Sequence, residues 1–392
     1  MHCAFNSQQS IYPPRYSWPI ITSLVIVILT CALQTYTVSI DPYQTKQMLI
    51  KTLFMLIFAW LVFIYCRSPS NIKTLLYTII AAAVFQSLYA SYLSLSPMIV
   101  SPIFGYEHTV RAIGSFTYSN FLANYLALCL CLGIGLLVSE LKQSNTKDKF
   151  NLKQQLRNYA ELLLSTKIVL RIALIIIIIG LILTRSRMGN SAFFIALSVI
   201  SLLAIIVYRK KPKAFKVLIL SFFILDLIII GSLFGVDKVK QRIAETSIQS
   251  ETRDDVIRDS IPLILDKPLL GSGGGTFYTA FPRYKSTPYT GYYDNAHNDY
   301  IQFSVELGLV TTAILGLLIL YCLWLCIMTM RTRKTSLYQG VAFGCAVAIV
   351  DMLLHSTVDY SLQAGANSMY FMLILCIAIL CNKLPPPVRP LK

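Results

Sequence analysis

Apolar blocks of about 20 residues recur along the chain, and they constrain its fold more than any other feature. A helix of roughly 20 apolar residues crosses about 30 Å of hydrocarbon, and in lipid its backbone polar groups must bond within the segment. Hydrophobic residues make up 56% of the 392-residue chain and charged residues 13%, against about 25% in soluble domains. The sequence therefore predicts an all-α integral membrane protein and excludes a soluble domain.

We predict about ten transmembrane helices, and up to twelve if neighbouring spans are merged in this division. The spans lie near 18–38, 48–66, 72–95, 119–138, 168–184, 190–208, 215–235, 300–329, 337–358 and 361–381. No A-x-A-like cleavage site follows the first block, so we expect it to be retained as a span. Residues 1–235 then hold spans one to seven, 236–299 form a long loop, and 300–392 hold the remaining spans and a tail.

Basic residues are distributed unevenly between the two sides of the predicted membrane. One set of short segments, which includes both chain ends, holds 21 Lys and Arg residues, whereas the opposite short segments hold five. Because positive charge marks cytoplasmic loops, both termini are predicted to be cytoplasmic and the loop 236–299 external. This placement accounts for most of the net charge of +16, so no nucleic-acid partner is predicted.

An arginine pair, Arg185 and Arg187, lies where the fifth span leaves the membrane on the external side. Arginine at membrane depth costs about 2.5–3.5 kcal/mol, and this pair opposes the positive-inside bias. Two guanidinium groups at this position favour bidentate binding of phosphates. Snorkelling to lipid headgroups is the alternative.

His297 and Asn298 close the external loop directly before the eighth span. A neutral imidazole near pH 7 can take a proton from a hydroxyl, which is the work of a general base. The alternative is a histidine at a helix start with Asn298 as the N-cap, and the local sequence leaves both open.

Weaker signals surround these two candidates. The run 271–275 (GSGGG) either presents backbone N–H groups to an anion or forms a turn. The aromatic run that follows it either stacks on sugar rings or belongs to the interfacial belt. That run comprises Phe277, Tyr278, Phe281, Tyr284, Tyr289, Tyr292 and Tyr293. Asp351, His355 and Asp359 recur every four residues and predict one polar helical stripe in a structural hydrogen-bond network.

Two further observations concern metals and membrane carboxylates. The external loop contains no H-E-x-x-H, C-x-x-C or D-x-D motif, so no metal site is predicted.

Asp226 is a lone carboxylate within the seventh predicted span, and no role is assigned to it.

Five segments between residues 111 and 367 resemble the O-antigen ligase and polymerase superfamily of bacterial inner membranes. They are the run from Arg111 through Gly114 and Asn120 to Ala123, Thr184 to Arg187, Arg253 to Gly273, His297 to Leu309, and His355 to Asn367. They occur in the expected order, with the long loop on the external side. The ten spans are fewer than the twelve usual in characterised ligases, and Met188 occupies a position where a small residue is common.

The resemblance implies transfer of a glycan from an undecaprenyl-diphosphate-linked donor to an acceptor hydroxyl at the periplasmic face, without metal or cofactor. It implies that His297 activates the acceptor and that Arg187, Arg253 and Arg185 hold the diphosphate. Supporting roles fall to Asn298, Glu306, Gly271, Gly273, Arg111, His355 and Asp359. A ligase, a polymerase that joins lipid-linked repeats and a protein O-glycan ligase all fit this pattern. The rival from another class is a lipid-linked glycan flippase, although its usual repeated halves are not visible.

Overall fold

The computed structural model describes residues 12–96, 100–105, 107, 111–140, 166–208, 254–286 and 293–386. Within these ranges the chain is mainly helical and has no strand, only an isolated bridge between Val100 and Glu107. The principal helices are α1 (Trp18–Thr37), α2 (Pro42–Tyr65), α3 (Pro69–Leu95), α4 (Ser119–Glu140), α5 (Thr166–Leu183), α6 (Arg187–Val207), α7 (254–266), α8 (Asp299–Thr332), α9 (Ser336–His355) and α10 (Gly365–Lys383).

Polar residues and prolines set the starts of several helices. The Asp41 carboxylate caps α2 by accepting the N–H of Tyr43 at 3.1 Å, and the Ser68 hydroxyl caps α3 in the same way. Pro42 and Pro69 begin these two helices, where a missing N–H has no partner to lose. The helices therefore start where local sequence signals allow it.

In the described part of the chain, eight helices are long and apolar enough to cross a membrane, and Ile168–Leu183 is a shorter apolar helix. Nine of the ten predicted spans coincide with helices in these ranges. The remaining one, the seventh predicted span at 215–235 with Asp226, lies outside the described residues. The prediction of an all-α membrane protein is confirmed, while the exact number of spans and the division at residues 235 and 299 stay predictions.

Contacts divide the chain into two compact units. The first comprises Met1–Arg67, Phe223–Cys322 and Leu353–Leu380. The second comprises Ser68–Phe222, Leu323–Met352 and Cys381–Lys392. His297 and the glycine-rich run belong to the first unit, and the arginine pair belongs to the second.

The first unit joins the loop helix α7 to the start of α8 through an apolar cluster. Val256, Leu263, Phe277 and Phe281 are buried there against Val305 of α8. Further along α8, the hydroxyls of Thr30 and Thr311 lie 3.1 Å apart and connect α1 to α8. The loop therefore has a small core of its own, built on a membrane helix.

The second unit is centred on α4, in which 94% of the most apolar 18-residue stretch is buried. Glycines let α9 approach α4 closely: a Cβ added at Gly135 would lie 2.7 Å from the Gly340 carbonyl oxygen and 2.9 Å from the Gly344 Cα. Such small-residue contacts allow backbones in a membrane to pack by van der Waals attraction, where the hydrophobic effect offers little.

Candidate active site

His297 stands immediately before α8, in a backbone conformation that non-glycine residues rarely adopt. Its φ angle is 51°, in the left-handed region. The next residue, Asn298, caps α8 by accepting the N–H of Ile301 at 3.1 Å. The same side chain donates to the carbonyl oxygen of Thr357 at 2.9 Å. The predicted cap is therefore present, and it fastens the histidine to the segment that follows α9.

The His297 imidazole faces a buried carboxylate. Its Nδ1 lies 4.0 Å from Oδ1 of Asp359, whose side chain is 2% exposed, while that of His297 is 20% exposed. The other carboxylate oxygen of Asp359 lies 3.7 Å from Nε2 of His355, which is fully buried. The Asp359 carboxylate thus lies within 4.0 Å of both imidazoles, and of the two only the His297 imidazole has access to solvent.

The predicted helical stripe through Asp351, His355 and Asp359 needs a correction. α9 ends at His355, and the chain turns before Asp359 rather than continuing to 358 as a helix. The Asp359 N–H still donates to the His355 carbonyl oxygen at 3.1 Å, which keeps the two residues together. Asp351 belongs to the second unit.

Asp299, the first residue of α8, anchors the segment between α9 and α10. Its Oδ2 accepts the Ser356 hydroxyl at 3.0 Å and the Leu362 N–H at 3.2 Å. Its own N–H donates to the Ser356 carbonyl oxygen at 3.0 Å. The start of α8 is thereby tied to the loop that carries Asp359.

Aromatic rings flank His297 on two sides. The Tyr360 ring meets the imidazole edge to face at 4.7 Å between centroids, and the Tyr293 ring does so at 6.0 Å. Other members of the predicted aromatic run have different roles, because Phe277 and Phe281 stack at 5.0 Å inside the loop core. Tyr289 and Tyr292 lie outside the described residues.

A hydrogen bond at the loop surface raises the pKa of one further tyrosine, Tyr284. The Tyr284 hydroxyl donates to Oδ2 of Asp266 at 2.6 Å. Because deprotonation would remove this donor and place two negative charges together, the bond raises the pKa of Tyr284. This tyrosine therefore ties α7 to the loop.

The glycine-rich run binds acceptors of the protein itself. The Gly273 N–H donates to the Glu306 carbonyl oxygen at 3.2 Å, and the Gly275 N–H to the Glu306 carboxylate at 3.0 Å. The Gly274 N–H donates to Oε1 of Gln34 at 3.1 Å. These three N–H groups already bond to acceptors of the protein, so they are not available to bind an anion. The run 271–275 is instead a turn that packs against α1 and α8, and it is called the docking loop below.

This docking depends on a break in α8. Gly308 has φ 79° and ψ 165°, so the helical bonding stops there. The Val305 carbonyl oxygen accepts the Ser272 N–H at 2.8 Å, and the Leu309 N–H donates to the Pro268 carbonyl oxygen at 2.8 Å. A Cβ at Gly308 would lie 2.2 Å from the Leu269 carbonyl oxygen, so a side chain has no room.

Glycine is also required inside the loop at Gly271. Its φ is 66°, and a Cβ there would lie 2.6 Å from the Glu306 carbonyl oxygen. Gly273 combines φ 115° with a similarly close approach to the Ser39 hydroxyl. Gly271 and Gly273 therefore both contact Glu306, and the supporting roles of these three residues in the reaction stay predictions.

Sequence reasoning missed Gln34, which completes this junction from α1. Its side chain is fully buried and donates to the carbonyl oxygens of Glu306, at 2.7 Å, and of Leu270. A glutamine within a predicted span is a signal in itself, because a polar group at that position needs partners.

In the second unit, Arg111 holds the turn that carries the arginine pair. Its Nε donates to the Thr184 carbonyl oxygen at 3.0 Å, and a terminal nitrogen donates to Oδ1 of Asn120 at 3.0 Å. A Cβ at Gly189 would lie 2.6 Å from the Ala123 Cβ, which fits α6 closely against α4. The first two resembling segments are thus packed together.

Arg185 and Arg187 are both exposed at this turn. Arg185 has φ 51°, and Arg187 is the first residue of α6, whose N-cap Ser186 accepts the Gly189 N–H at 3.1 Å. A helix N-terminus attracts anions, and the Arg187 guanidinium adds a positive charge at the N-terminus of α6. Arg253, the third predicted phosphate ligand, lies outside the described residues.

The described ranges contain no group of three or more His, Cys, Asp and Glu side chains arranged to hold a metal ion. Within the first unit an accessible imidazole lies beside a buried carboxylate, and within the second unit two guanidinium groups are exposed. These side chains are suited to proton transfer and to anion binding, respectively.

The fold defines the chain as a multi-pass membrane protein in which a histidine directly before α8 faces a carboxylate of the segment between α9 and α10. In a comparison with protein families, residues 172–316 match the family model described as O-antigen ligase. The match supports the O-antigen ligase superfamily, and it includes three of the five resembling segments, those that begin at Thr184, Arg253 and His297. A search of curated proteins found no match.

Proposed function

We propose that the protein transfers a glycan from an undecaprenyl-diphosphate-linked donor to an acceptor hydroxyl at the periplasmic face of the bacterial inner membrane. The observation that carries the proposal is the accessible His297 imidazole, with Nδ1 toward the buried Asp359 carboxylate. Because the Asp359 carboxylate lies 4.0 Å from Nδ1, we assign the proton to that nitrogen, which leaves Nε2 to receive a proton from the acceptor.

The reaction is a single displacement. Nε2 of His297 removes the acceptor hydroxyl proton as the oxygen attacks the anomeric carbon of the donor. The bond between that carbon and the diphosphate oxygen breaks, and undecaprenyl diphosphate leaves with the electron pair. Attack opposite the leaving group inverts the anomeric centre, and Asp359 stabilises the imidazolium that forms.

The leaving diphosphate needs charge stabilisation, which we assign to guanidinium groups rather than to a metal. Arg187 and Arg185 are exposed at one turn, and Arg187 begins a helix. Arg253 is the third candidate on the loop. The unequal distribution of Lys and Arg between short segments supports cytoplasmic termini and a periplasmic reaction face.

Three acceptor classes share this chemistry: a lipid core glycan, a second lipid-linked repeat and a protein hydroxyl. The competing function is a flippase, which would move the donor without breaking a bond. The matched family and the paired histidine support transfer.

The test uses protein purified in detergent, where transport has no meaning, with an undecaprenyl-diphosphate-linked oligosaccharide and one acceptor class at a time. We expect free undecaprenyl diphosphate and a glycosylated acceptor in equal amounts with one class. In right-side-out vesicles, an impermeant acceptor should react only when it is added outside. An intact donor with every acceptor, together with donor movement across liposomes, would replace transfer by transport.

Substitution of Arg187 by lysine should weaken donor binding about tenfold, equivalent to the loss of one charge-assisted hydrogen bond of about 1.4 kcal/mol. Lysine keeps the charge but loses the planar fork that binds two phosphate oxygens. The donor KM in the detergent assay measures this effect. Arg331→Lys, an exposed arginine at the far end of α8, is the matched control and should leave the KM unchanged. An unaltered KM in Arg187→Lys would make Arg187 a headgroup anchor.

A further inference from the structure

The strained backbone of His297 requires neighbouring groups that hold it. A φ of 51° persists at a non-glycine residue only where the surroundings over-determine it. On the C-terminal side, Asn298 supplies such a contact through the Thr357 carbonyl oxygen. On the N-terminal side, the contact comes from a side chain of α8 that no step of the proposed reaction uses.

That side chain is Gln302, which is 2% exposed. Its Oε1 accepts the N–H of Ala296, the residue before His297, at 2.8 Å. Its Nε2 donates to Oδ1 of Asn295 at 3.1 Å and to Oε1 of Glu306 at 2.8 Å. One amide therefore binds two successive residues that lead into His297.

Glu306 determines which way this amide points. Its carboxylate also accepts the N–H groups of Gly275, at 3.0 Å, and Phe277, at 3.4 Å. A carboxylate that only accepts hydrogen bonds must face the NH2 group of Gln302, which turns the amide oxygen toward Ala296. The orientation of Gln302 is thus fixed from the docking loop.

We infer that Gln302 is a positioning residue for His297 and that Glu306 sets the orientation of its amide. The inference rests on the proposed function, in which His297 accepts the proton of the acceptor. Loss of the Gln302 bond to Ala296 would let the His297 backbone relax toward negative φ and turn the imidazole away from Asp359. Displacement of a reacting group by about 1 Å can cost about 10²-fold in rate.

The first test replaces Gln302 by leucine, which has a similar size and no hydrogen bonds. We expect a 10- to 100-fold fall in kcat per folded molecule with an unchanged donor KM. Gln339→Leu is the matched control, because Gln339 is also buried and its side chain donates to the Met330 carbonyl oxygen at 3.0 Å. The control should lose stability but keep its kcat. A normal kcat in folded Gln302→Leu would overturn the inference.

The second test exchanges the two side chains. Gln302→Glu alone places two carboxylates together and should lower kcat at least about 100-fold. The double variant Gln302→Glu/Glu306→Gln restores an amide beside a carboxylate and keeps an acceptor for the Ala296 N–H. We expect it to recover to within about tenfold of wild type. A double variant no better than Gln302→Glu would contradict the assigned orientation.

A third measurement does not depend on turnover. Diethyl pyrocarbonate modifies accessible imidazoles, and mass spectrometry maps the product at His297 against the fully buried His355. Gln302→Leu should change the His297 modification rate several-fold, whereas Gln339→Leu should not. If wild-type protein transferred no glycan to any acceptor, the proposed function would fail while this rate still tested the positioning. An unchanged rate would remove Gln302 from that role.

Discussion

Replacement of His297 by alanine is expected to lower the turnover of glycan transfer by 10²–10⁴-fold, about 2.7–5.4 kcal/mol of barrier. The imidazole is the accessible member of the pair with Asp359, and its removal leaves no group at that position to take the acceptor proton. Donor binding should persist, because the proposed diphosphate ligands are the arginines. Separate measurements of the kcat and the donor affinity of purified protein distinguish these two effects.

His355→Ala is the matched control for this variant. His355 contacts the other oxygen of Asp359 but is fully buried, so it has no access to an acceptor. We expect it to reduce thermal stability or yield more than the turnover of each folded molecule. His297→Ala with more than about a tenth of wild-type turnover would fall outside the range for a general base. Loss of donor binding in His297→Ala would instead assign the histidine to anchoring.

The helices were predictable because their cause is local. A membrane span is visible as a block of apolar residues, and the start of α8 follows from Asn298 as its cap. The end of α9 was not predicted correctly. The apolar and polar pattern continues past His355, and the turn toward Asp359 is bound by Asp299 from another helix.

The break in α8 could not be predicted from sequence for a similar reason. A lone glycine within an apolar block, such as Gly316 in the same helix, is compatible with continuous helix, and a Cβ at Gly316 would meet nothing within 4 Å. Gly308 differs because the loop at Leu269 approaches it, and Gln34 of α1 binds the carbonyl group that this break frees at Glu306. These contacts join residues that are far apart in the chain, so they cannot be predicted from the local spacing of residues.

The candidate site was predictable in its residues but not in its pairing. His297 and Asp359 stood out as separate signals, yet the sequence associated Asp359 with a helical stripe that includes Asp351. The structure instead associates Asp359 with His297 across the first unit. The resemblance likewise implied a supporting role for Arg111, and its bond to the Thr184 carbonyl oxygen holds the turn that carries Arg185 and Arg187.

Replacement of Asp359 by asparagine should lower transfer at least about 10²-fold with little change in donor KM. An asparagine presents either a carbonyl oxygen or an NH2 group to Nδ1 of His297, and neither balances the charge of an imidazolium. If the NH2 group faces Nδ1, the proton moves to Nε2, and the nitrogen that should receive the acceptor proton is blocked. The effect should appear in kcat, because Asp359 acts through His297 and not on the diphosphate.

Asp259→Asn is the matched control for Asp359→Asn. Asp259 is a buried carboxylate of the same unit, and it accepts the Ser286 N–H and hydroxyl at 2.9 Å. Its substitution should cost stability while turnover of each folded molecule stays within about twofold of wild type. Thermal unfolding in detergent, measured alongside kcat for both variants, separates folding from chemistry. A folded Asp359→Asn protein with near-normal kcat would show that His297 works without this carboxylate, and Asp359 would then be a structural link between His297 and His355 only.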